Sequence, residues 1–348
     1  MRRISRITVA GAATASLALA LAACGSTSTS GSSDSKGNKG LAIAYDVGGK
    51  GDQSFNDAAY AGLEQAQKEF GYETADVEPT EGETDADKEQ RLVSLAKQGY
   101  NPVIGVGYAY ASAVKGAAEK FPKTTFGIVD DATINAKNVA DLVFSEEQAS
   151  YLAGVAAAKS TKSNVVGFVG GVDIPLIHKF QAGFEQGVKD TNPKVKVLSQ
   201  YLTQTAEEGG FSSPDKGKTA AEGQIEKKAD VVYAAAGLSG QGVIEAAAAK
   251  KVWAIGVDSD QYKQAALAKY KDFILTSAMK DVAKAVYNLA KSVEDGKPET
   301  GIVRGDLKTG EVSLSDSNPK FADDAELQEA IKTAKEKIIN GEIKVKSS

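Results

Sequence analysis

From residue 41 onward, short apolar runs alternate with amphipathic segments. The runs are rich in Val, Ile and Ala, which is typical of parallel strands buried on both faces, and the segments between them have a helical period. The runs predict strands at Leu41–Asp46, Pro102–Val106, Thr124–Val129, Val139–Phe144, Asn164–Val169, Lys194–Gln200, Asp230–Ala235, Lys251–Val257, Asp272–Ser277 and Glu311–Leu314. The segments predict helices at Ser54–Phe70, Asp85–Gln98, Ser112–Lys120, Glu146–Lys159, Leu176–Thr191, Asp215–Lys228, Gln241–Lys250, Ala278–Glu294 and Asp324–Asn340.

This alternation predicts an α/β fold of doubly wound parallel sheets with helices on both sides. The chain contains more strand–helix units than one such sheet normally holds, so the sequence predicts two lobes. The first lobe is expected at 41–144 together with about 259–296. The second lobe is expected at 145–258 together with about 297–348.

The first 23 residues have the pattern of a secretory signal peptide. Three arginines and no acidic residue precede an apolar run at 7–20, and small residues follow it. The run is too short and too rich in small polar residues to be a good membrane span. The sequence Leu-Ala-Ala-Cys that ends at Cys24 resembles the lipobox of bacterial lipoproteins, which predicts cleavage before Cys24 and a lipid on its sulfur. An ordinary cleavage site beside a chance cysteine is the alternative.

Residues 24–40 are nearly all small or polar, so they predict a flexible tether that cannot bury apolar surface. A lipid on Cys24 would then hold the folded domain on the extracytoplasmic face of the cell membrane. Cys24 is the only cysteine of the chain, so no thiol would remain for disulfides, metal binding or catalysis.

Loss of the signal peptide would leave an acidic protein. It removes three of the 41 basic residues and none of the 46 acidic ones, which gives a net charge of about −8. An acidic surface argues against nucleic acid as a partner. No further apolar stretch approaches the length of a membrane span, so the chain is not expected to be a permease itself. We expect a monomer.

Three aspartates end predicted strands, at Asp46, Asp130 and Asp258. Ligands of open α/β sheets bind beyond the carboxyl ends of the strands. One carboxylate can accept two hydrogen bonds from vicinal hydroxyls, so the three aspartates suit a sugar-like ligand. Capping of the next helix is the alternative for each of them. The glycine-rich loop 237–242 also follows a strand and could bring backbone N–H groups close to a ligand.

Other candidates lie beside these strand ends. Phe55 could belong to the core, or could stack on a planar base whose edge Asn56 would then address. Tyr108 follows the strand that ends at Val106. Lys280 lies in the first turn of a predicted helix, where the positive helix end disfavours a cation. We therefore expect a carboxylate or a ligand oxygen beside Lys280, with a solvent-exposed lysine as the alternative.

Catalysis finds little support in the sequence. The only histidine, His178, lies at an apolar-flanked helix start, and no metal-ligand spacing or Ser/His/Asp arrangement is present. We therefore expect no metal, no cofactor and no enzymatic activity. An extracellular nucleoside hydrolase would need a calcium-binding cluster, for which Asp46, Asp52 and Asp57 are the candidates.

Several motifs together resemble those of one family. These are GDQSFNDAAYAGL (51–63), FGIVDD (126–131), VFSEEQASYLAGVAAA (143–158), FQAGFEQGV (180–188), AAGLSGQGVIEAA (235–247), IGVDSDQ (255–261) and TSAMKDVAKAVY (276–287). They span nearly all of the mature chain and resemble the basic membrane protein family, the lipid-anchored nucleoside-binding proteins of ABC importers. The resemblance implies a type I periplasmic-binding fold, whose two lobes, joined by a multi-strand hinge, close on a nucleoside, with purines favoured.

The resemblance also implies roles for the candidate residues. Phe55 would stack on the base, and Asn56 and Asp130 would address its edges. Asp258 and Lys280 would hold the ribose hydroxyls. The remaining candidates implied at the cleft are Asp46, Tyr108, Gly237 and Gly240.

The chain departs from the family pattern at Phe211-Ser212-Ser213-Pro214, where many relatives read Phe-x-Asp-Pro, so that the Asp is lost. The second stacking aromatic of the family stays open between Phe211 and Tyr108. An ABC permease in the membrane would be the protein partner. A sugar or signal-molecule receptor of the same fold is the alternative.

Overall fold

Two six-stranded sheets form the framework of the computed structural model, which describes residues 39–348. The first sheet contains β1 (Ala42–Ala44), β2 (Ala75–Val77), β3 (Val103–Gly105), β4 (Phe126–Val129), β5 (Val139–Phe144) and β11 (Gly301–Gly305). The second sheet contains β6 (Val165–Val172), β7 (Lys196–Thr203), β8 (Val231–Ala235), β9 (Trp253–Asp258), β10 (Ile274–Lys280) and β12 (Val312–Leu314). All neighbouring strands are parallel except β10 and β12.

Helices cover both sheets. They are α1 (Phe55–Phe70), α2 (Asp85–Gln98), α3 (Ala111–Lys120), α4 (Glu146–Ser160), α5 (Pro175–Thr191), α6 (Pro214–Glu226), α7 (Gly240–Lys250), α8 (Val282–Glu294), α9 (Pro319–Ala322) and α10 (Ala325–Ile339). We call the first sheet with α1–α3 and α8 the first lobe, and the second sheet with α4–α7, α9 and α10 the second lobe. The predicted α/β class with two doubly wound, mainly parallel sheets is confirmed.

The two lobes repeat one strand order. The order is β2-β1-β3-β4-β5-β11 in the first sheet and β7-β6-β8-β9-β10-β12 in the second. The fourth strand along the chain in each lobe is therefore β4 in one and β9 in the other. Asp130 directly follows β4 and Asp258 ends β9, so these two aspartates occupy matching places in the two lobes.

The chain crosses between the sheets three times, and two of the predicted lobe boundaries differ from the structure. The sequence placed 259–296 in the first lobe, but β10 pairs with β9 in the second sheet, so only α8 of that segment belongs to the first lobe. The sequence placed 297–348 in the second lobe, but β11 pairs with β5 in the first sheet. Backbone bonds fix the crossings: Ser145 N donates to Gly305 O (2.9 Å), and Asp281 N donates to Glu311 O (2.7 Å).

The predicted helix 278–294 begins too early. Residues 278–280 complete β10, because Ala278 pairs with Val257 on one side and with Leu314 on the other. The helix begins at Val282, after the Asp281 side chain, which accepts a hydrogen bond from Lys284 N. Lys280 is therefore the last residue of a strand, and the argument from an adverse helix position was wrong.

The predicted tether extends too far by two residues. Lys39 N donates to Gly99 O (3.0 Å), and Gly40 O accepts from Asn101 N (2.7 Å), so both residues pack on the first lobe. The signal peptide 1–23 and the lipidation site Cys24 lie outside the described residues. No helix within residues 39–348 combines the length and apolar character needed to cross a membrane.

Candidate functional site

A cavity of about 540 Å³, part of it open to solvent, lies where strand ends of the two lobes meet. The structure brings most of the predicted residues together in its lining: Asp46, Phe55, Asn56, Tyr108, Asp130, Gly237, Asp258 and Lys280. Gly240 does not line it. Gly240 is the buried first residue of α7, where an added Cβ would be 3.6 Å from Ala234 Cβ.

Four further side chains in the lining were missed or left open by the sequence. Leu176, Ile177 and Phe180 come from the first turns of α5, where they have the ordinary pattern of an amphipathic helix. Phe211, one of the two candidates for a second aromatic, also lines the cavity. Its ring packs so closely on Gly171 that a Cβ added there would overlap with it.

An ion cluster joins the two lobes at the floor of the cavity. Lys280 Nζ, at the end of β10, donates to Asp130 Oδ2 (2.7 Å) and lies 3.5 Å from Asp258 Oδ1. The three side chains are 4%, 5% and 8% exposed, so water screens their charges weakly. Lys280 Nζ also lies 4.5 Å from the centre of the Phe55 ring, within the range of a cation–π contact.

The charges in this cluster shift each other's protonation. Burial alone would lower the pKa of Lys280, but Asp130, Asp258 and Glu146 outweigh it and raise that pKa above its usual range. Lys280 therefore stays charged. Burial raises the pKa of Asp258, while Lys280 opposes the rise. Burial likewise raises the pKa of Glu146 to about 7.

Two carboxylate oxygens of the cluster have no hydrogen-bond partner. Asp130 Oδ1 and Asp258 Oδ1 are both buried without a hydrogen bond, as is Glu146 Oε1, which lies outside the lining, although Asp258 Oδ1 is within ion-pair distance of Lys280 Nζ. Leaving a buried acceptor unsatisfied costs about 1–3 kcal/mol. The first two acceptors lie in the lining itself, so a ligand with hydroxyl groups could satisfy them.

Both matching aspartates have an unusual backbone. Asp130 has φ 68° and Asp258 has φ 63°, in the left-handed region that favours glycine. Such a conformation costs free energy and persists where the surroundings impose it, often at ligand sites. It turns the backbone sharply at the end of each of the two strands, so that both carboxylates remain beside Lys280.

Asp52 and Asn56 organise the loop that leads into α1. Asp52 is buried and accepts hydrogen bonds from the backbone N–H of Ser54 (2.9 Å) and Asn56 (2.9 Å), as helix-capping residues do. Asn56 Oδ1 accepts from Asp46 N (3.1 Å), and Asn56 Nδ2 donates to Asp52 Oδ2 (3.1 Å). The Asn56 amide is thus engaged within the protein, which favours a positioning role over contact with a base edge.

The carboxylates considered for a calcium site are engaged in the same way. Asp57 accepts hydrogen bonds from the backbone N–H of Gly51 (2.7 Å) and Gln53 (3.1 Å), and Asp52 caps the helix. Within residues 39–348, no group of three or more acidic, histidine or cysteine side chains is arranged to hold a metal ion.

Asp46 adds a titratable group to the cavity. Burial raises its pKa to about 7, so both protonation states are available near neutral pH. Val47 N donates to its Oδ1 (2.8 Å). The other oxygen faces Gly107, which has φ 102° and where an added Cβ would be 2.7 Å from Asp46 Cγ.

Gly107→Ala is expected to lower the free energy of unfolding by about 1–3 kcal/mol more than Gly99→Ala, because the new methyl group must displace the Asp46 carboxylate. Gly99 is the comparison position, since its φ of 97° is also positive, with ψ 14° against 149° at Gly107, while its nearest neighbouring atom would be 3.9 Å from the Cβ. Urea denaturation of both variants measures the difference. Equal losses would show that strain alone matters at Gly107.

Two lobes that meet at a buried, charged and aromatic cavity define a two-lobed α/β protein that binds a small polar ligand. The family model described as ABC transporter substrate-binding protein PnrA-like matches residues 40–348. The chain belongs to this family, and it is a substrate-binding protein of the ABC transporter class. Its relatives in this family are substrate-binding proteins of ABC transporters, a class that is not enzymatic.

Individual relatives agree with this assignment. The chain is 37% identical over 323 residues to the ABC transporter nucleoside-binding protein BmpA of Lactococcus lactis, and the aligned region covers 88% of each chain. It is 34% identical over 294 residues to a lipoprotein of Pyrococcus abyssi, and the aligned region covers 79% of this chain and 69% of the relative. Among solved structures, an ABC transporter solute-binding protein from Aeropyrum pernix K1 has a TM-score of 0.76 at 28% identity, over 88% of this chain and 93% of that one.

Proposed function

We propose that this substrate-binding protein captures a nucleoside between its two lobes. The observation that carries the proposal is the pair of buried oxygens without a hydrogen bond on Asp130 and Asp258, which lie beside the Lys280 ammonium in a cavity lined by aromatic rings. A nucleoside offers hydroxyl donors at one end and a planar base at the other. The name of the Lactococcus lactis relative supports the same ligand class.

The charged end of the cavity suits the ribose. Asp130 Oδ1 and Asp258 Oδ1 can each accept a hydrogen bond from a hydroxyl, and charge-assisted bonds of this kind are among the strong ones. Lys280 has three donors and uses one of them on Asp130, so it can donate to a ligand oxygen as well. The ribose hydroxyls would supply hydrogen bonds that the buried carboxylates otherwise lack.

The aromatic side chains of the lining suit the base. Phe55, Tyr108, Phe180 and Phe211 all line the cavity. Stacking on an aromatic side chain contributes about 1–3 kcal/mol per base. Asp46, with a pKa of about 7, can act as acceptor or donor toward a base edge.

A nucleoside 5′-phosphate is expected to bind at least about 100-fold more weakly than the nucleoside, because four aspartates line the cavity and Lys280 is the only cation among the described lining residues. Isothermal titration of the full chain in mild detergent, with adenosine, guanosine, inosine, uridine, their 5′-monophosphates and free ribose, measures the difference.

Each ligand of this series has a distinct meaning. Absence of heat from every nucleoside would contradict the proposal. Tighter binding of a sugar would favour a sugar receptor of the same fold. Release of free base from inosine would indicate a hydrolase.

We further propose that a lipid on Cys24 anchors the protein at the extracytoplasmic face of the cell membrane, and that it delivers ligand as a monomer to an ABC permease. The lipobox-like sequence before Cys24 and the lipoprotein name of the Pyrococcus abyssi relative support the anchor. The family description supports the permease as partner. Closure of two lobes around a ligand is a common motion of such binding proteins.

A further inference from the structure

Two serines join the lobes directly beside the ion cluster. Ser54, from the loop before α1 in the first lobe, has no exposed surface. Its Oγ lies 3.0 Å from Asp258 Oδ2 and 3.1 Å from Val257 O, so the hydroxyl proton is shared between two acceptors of the second lobe. In return, Ser259 Oγ donates to Ser54 O at 2.6 Å. The start of α1 and the end of β9 thus bind each other reciprocally.

Two glutamines of the second lobe hold the adjacent loop in place. Gln261 Nε2 donates to Gln53 O (3.1 Å), and Gln241 Nε2 donates to Gly51 O (3.3 Å). Gln261 is itself fixed, because its Oε1 accepts from Val257 N (3.1 Å). The position of Ser54 against the second lobe therefore does not depend on its own hydroxyl alone.

The Ser54 hydroxyl distinguishes the two oxygens of the Asp258 carboxylate. It contacts Oδ2, while Oδ1 accepts no hydrogen bond and lies 3.5 Å from Lys280 Nζ. The terminal torsion of an aspartate has a broad energy profile, so a free carboxylate would rotate easily. The contact with Ser54 restricts this rotation and keeps Oδ1 beside Lys280.

We propose that Ser54 is a positioning residue of the ligand site, which orients Asp258 from the opposite lobe so that Oδ1 can accept a ligand hydroxyl. The inference rests on the proposed nucleoside function. The cluster is then reciprocal between the lobes. Lys280 of the second lobe donates a hydrogen bond to Asp130 of the first, and Ser54 of the first lobe donates one to Asp258 of the second. The pair of hydroxyl acceptors is therefore complete only when the lobes are in contact.

The test is Ser54→Ala, measured on the full chain with a ribonucleoside and with its 2′,3′-dideoxy analogue. The variant is expected to bind the ribonucleoside about tenfold more weakly, the effect of one hydrogen bond to a charged group, and to release it faster. The affinity of the variant for the dideoxy analogue should change less than about twofold, because that ligand has no diol hydroxyl that could donate a hydrogen bond to Asp258. A merely structural role for Ser54 would lower both affinities alike.

Three further variants complete the experiment. Ser54→Cys keeps the size of the side chain but donates weakly, so it should show the same selective loss if the alanine variant does not fold. Ser259→Ala removes the return bond without touching Asp258 and should lower both affinities equally. Thr276→Val removes a buried hydroxyl that donates to Ser315 O within the second lobe, and should change neither affinity.

The outcomes separate the two proposals. An unchanged ribonucleoside affinity in the Ser54 variants, or an equal loss for both ligands, overturns the positioning role while the nucleoside function stands. A wild-type protein that binds neither nucleoside overturns both proposals.

Discussion

Replacing Lys280 with methionine is expected to lower the free energy of unfolding by about 3–5 kcal/mol at pH 7.5, because breaking a buried ion pair leaves uncompensated charge in a medium that screens it weakly. The variant leaves Asp130 and Asp258 buried with no cation between them, and it removes the nearby positive charge that offsets Glu146. Methionine fills a similar volume, so packing contributes little to the loss. Urea denaturation followed by circular dichroism measures it.

The matched control is Lys284→Met, four residues further along the chain. Lys284 Nζ lies 2.7 Å from Glu311 Oε1, but its side chain is 42% exposed, so the loss should stay below about 1 kcal/mol. Equal losses in the two variants would mean that the buried cluster is not held together by Lys280.

The same variant should show a distinctive dependence on pH. Without Lys280, burial and mutual repulsion hold the pKa values of Asp258 and Glu146 above those of the unfolded chain, where both are near 4. The folded protein then binds more protons than the unfolded one between about pH 4 and 7, so its stability falls as the pH rises through that range. The stability of Lys280→Met should therefore recover when the pH is lowered from 8 to 5, and recover more than that of the wild type.

Asp258→Asn is expected to weaken nucleoside binding by about 10- to 100-fold while the protein stays folded. The asparagine keeps the shape of the side chain but removes the negative charge that Lys280 and the ligand hydroxyls face. A hydrogen bond to a charged group contributes about 1.5–3 kcal/mol, which corresponds to a factor of about 10 to 100. Isothermal titration of the variant measures the affinity.

Asp260→Asn is the control for this prediction. Asp260 follows two residues later, but its oxygens accept from Ser315 Oγ (2.7 Å) and Ser317 Oγ (2.5 Å), and it does not line the cavity. The affinity of this variant should stay within about twofold of the wild type. Normal binding by Asp258→Asn, with its fold intact, would show that the ribose lies elsewhere.

The aspartates of the candidate site could be predicted because strand ends have a local signature. Asp46, Asp130 and Asp258 each follow a run of apolar residues, and parallel strands bring their carboxyl ends to one edge of a sheet. Phe180 had no such signature. Its place in α5 is that of an ordinary core residue, and only the approach of the first lobe makes part of its ring a cavity wall.

Lys280 was predicted as a site residue for the wrong reason. The sequence around it continues as a helix pattern, but pairing with β9 on one side and β12 on the other keeps residues 278–280 in a strand. The expected carboxylate partners are nevertheless present. They come from the meeting of two lobes and not from a helix end, so no local pattern could identify them.

The lobe boundaries show the same limit. β11 contains two glycines, and its Ile302 side chain is 61% exposed at the edge of the first sheet, so the apolar residues of the segment do not mark its buried face. Its pairing with β5 depends on backbone hydrogen bonds to a strand about 160 residues earlier. A pattern of side chains contains no information on such a pairing.

The sequence by itself determined the α/β class, most of the strands and helices, and the strand-end aspartates, because periodicity and local chemistry are properties of neighbouring residues. Only the tertiary structure decided which strands share a sheet, where the chain crosses between lobes and which charges meet. Lys280 and Asp130 are 150 residues apart in the chain, and Ser54 and Asp258 are 204 apart. Such contacts arise when the two lobes bury their strand ends against each other, and the free energy of that burial depends on the whole fold.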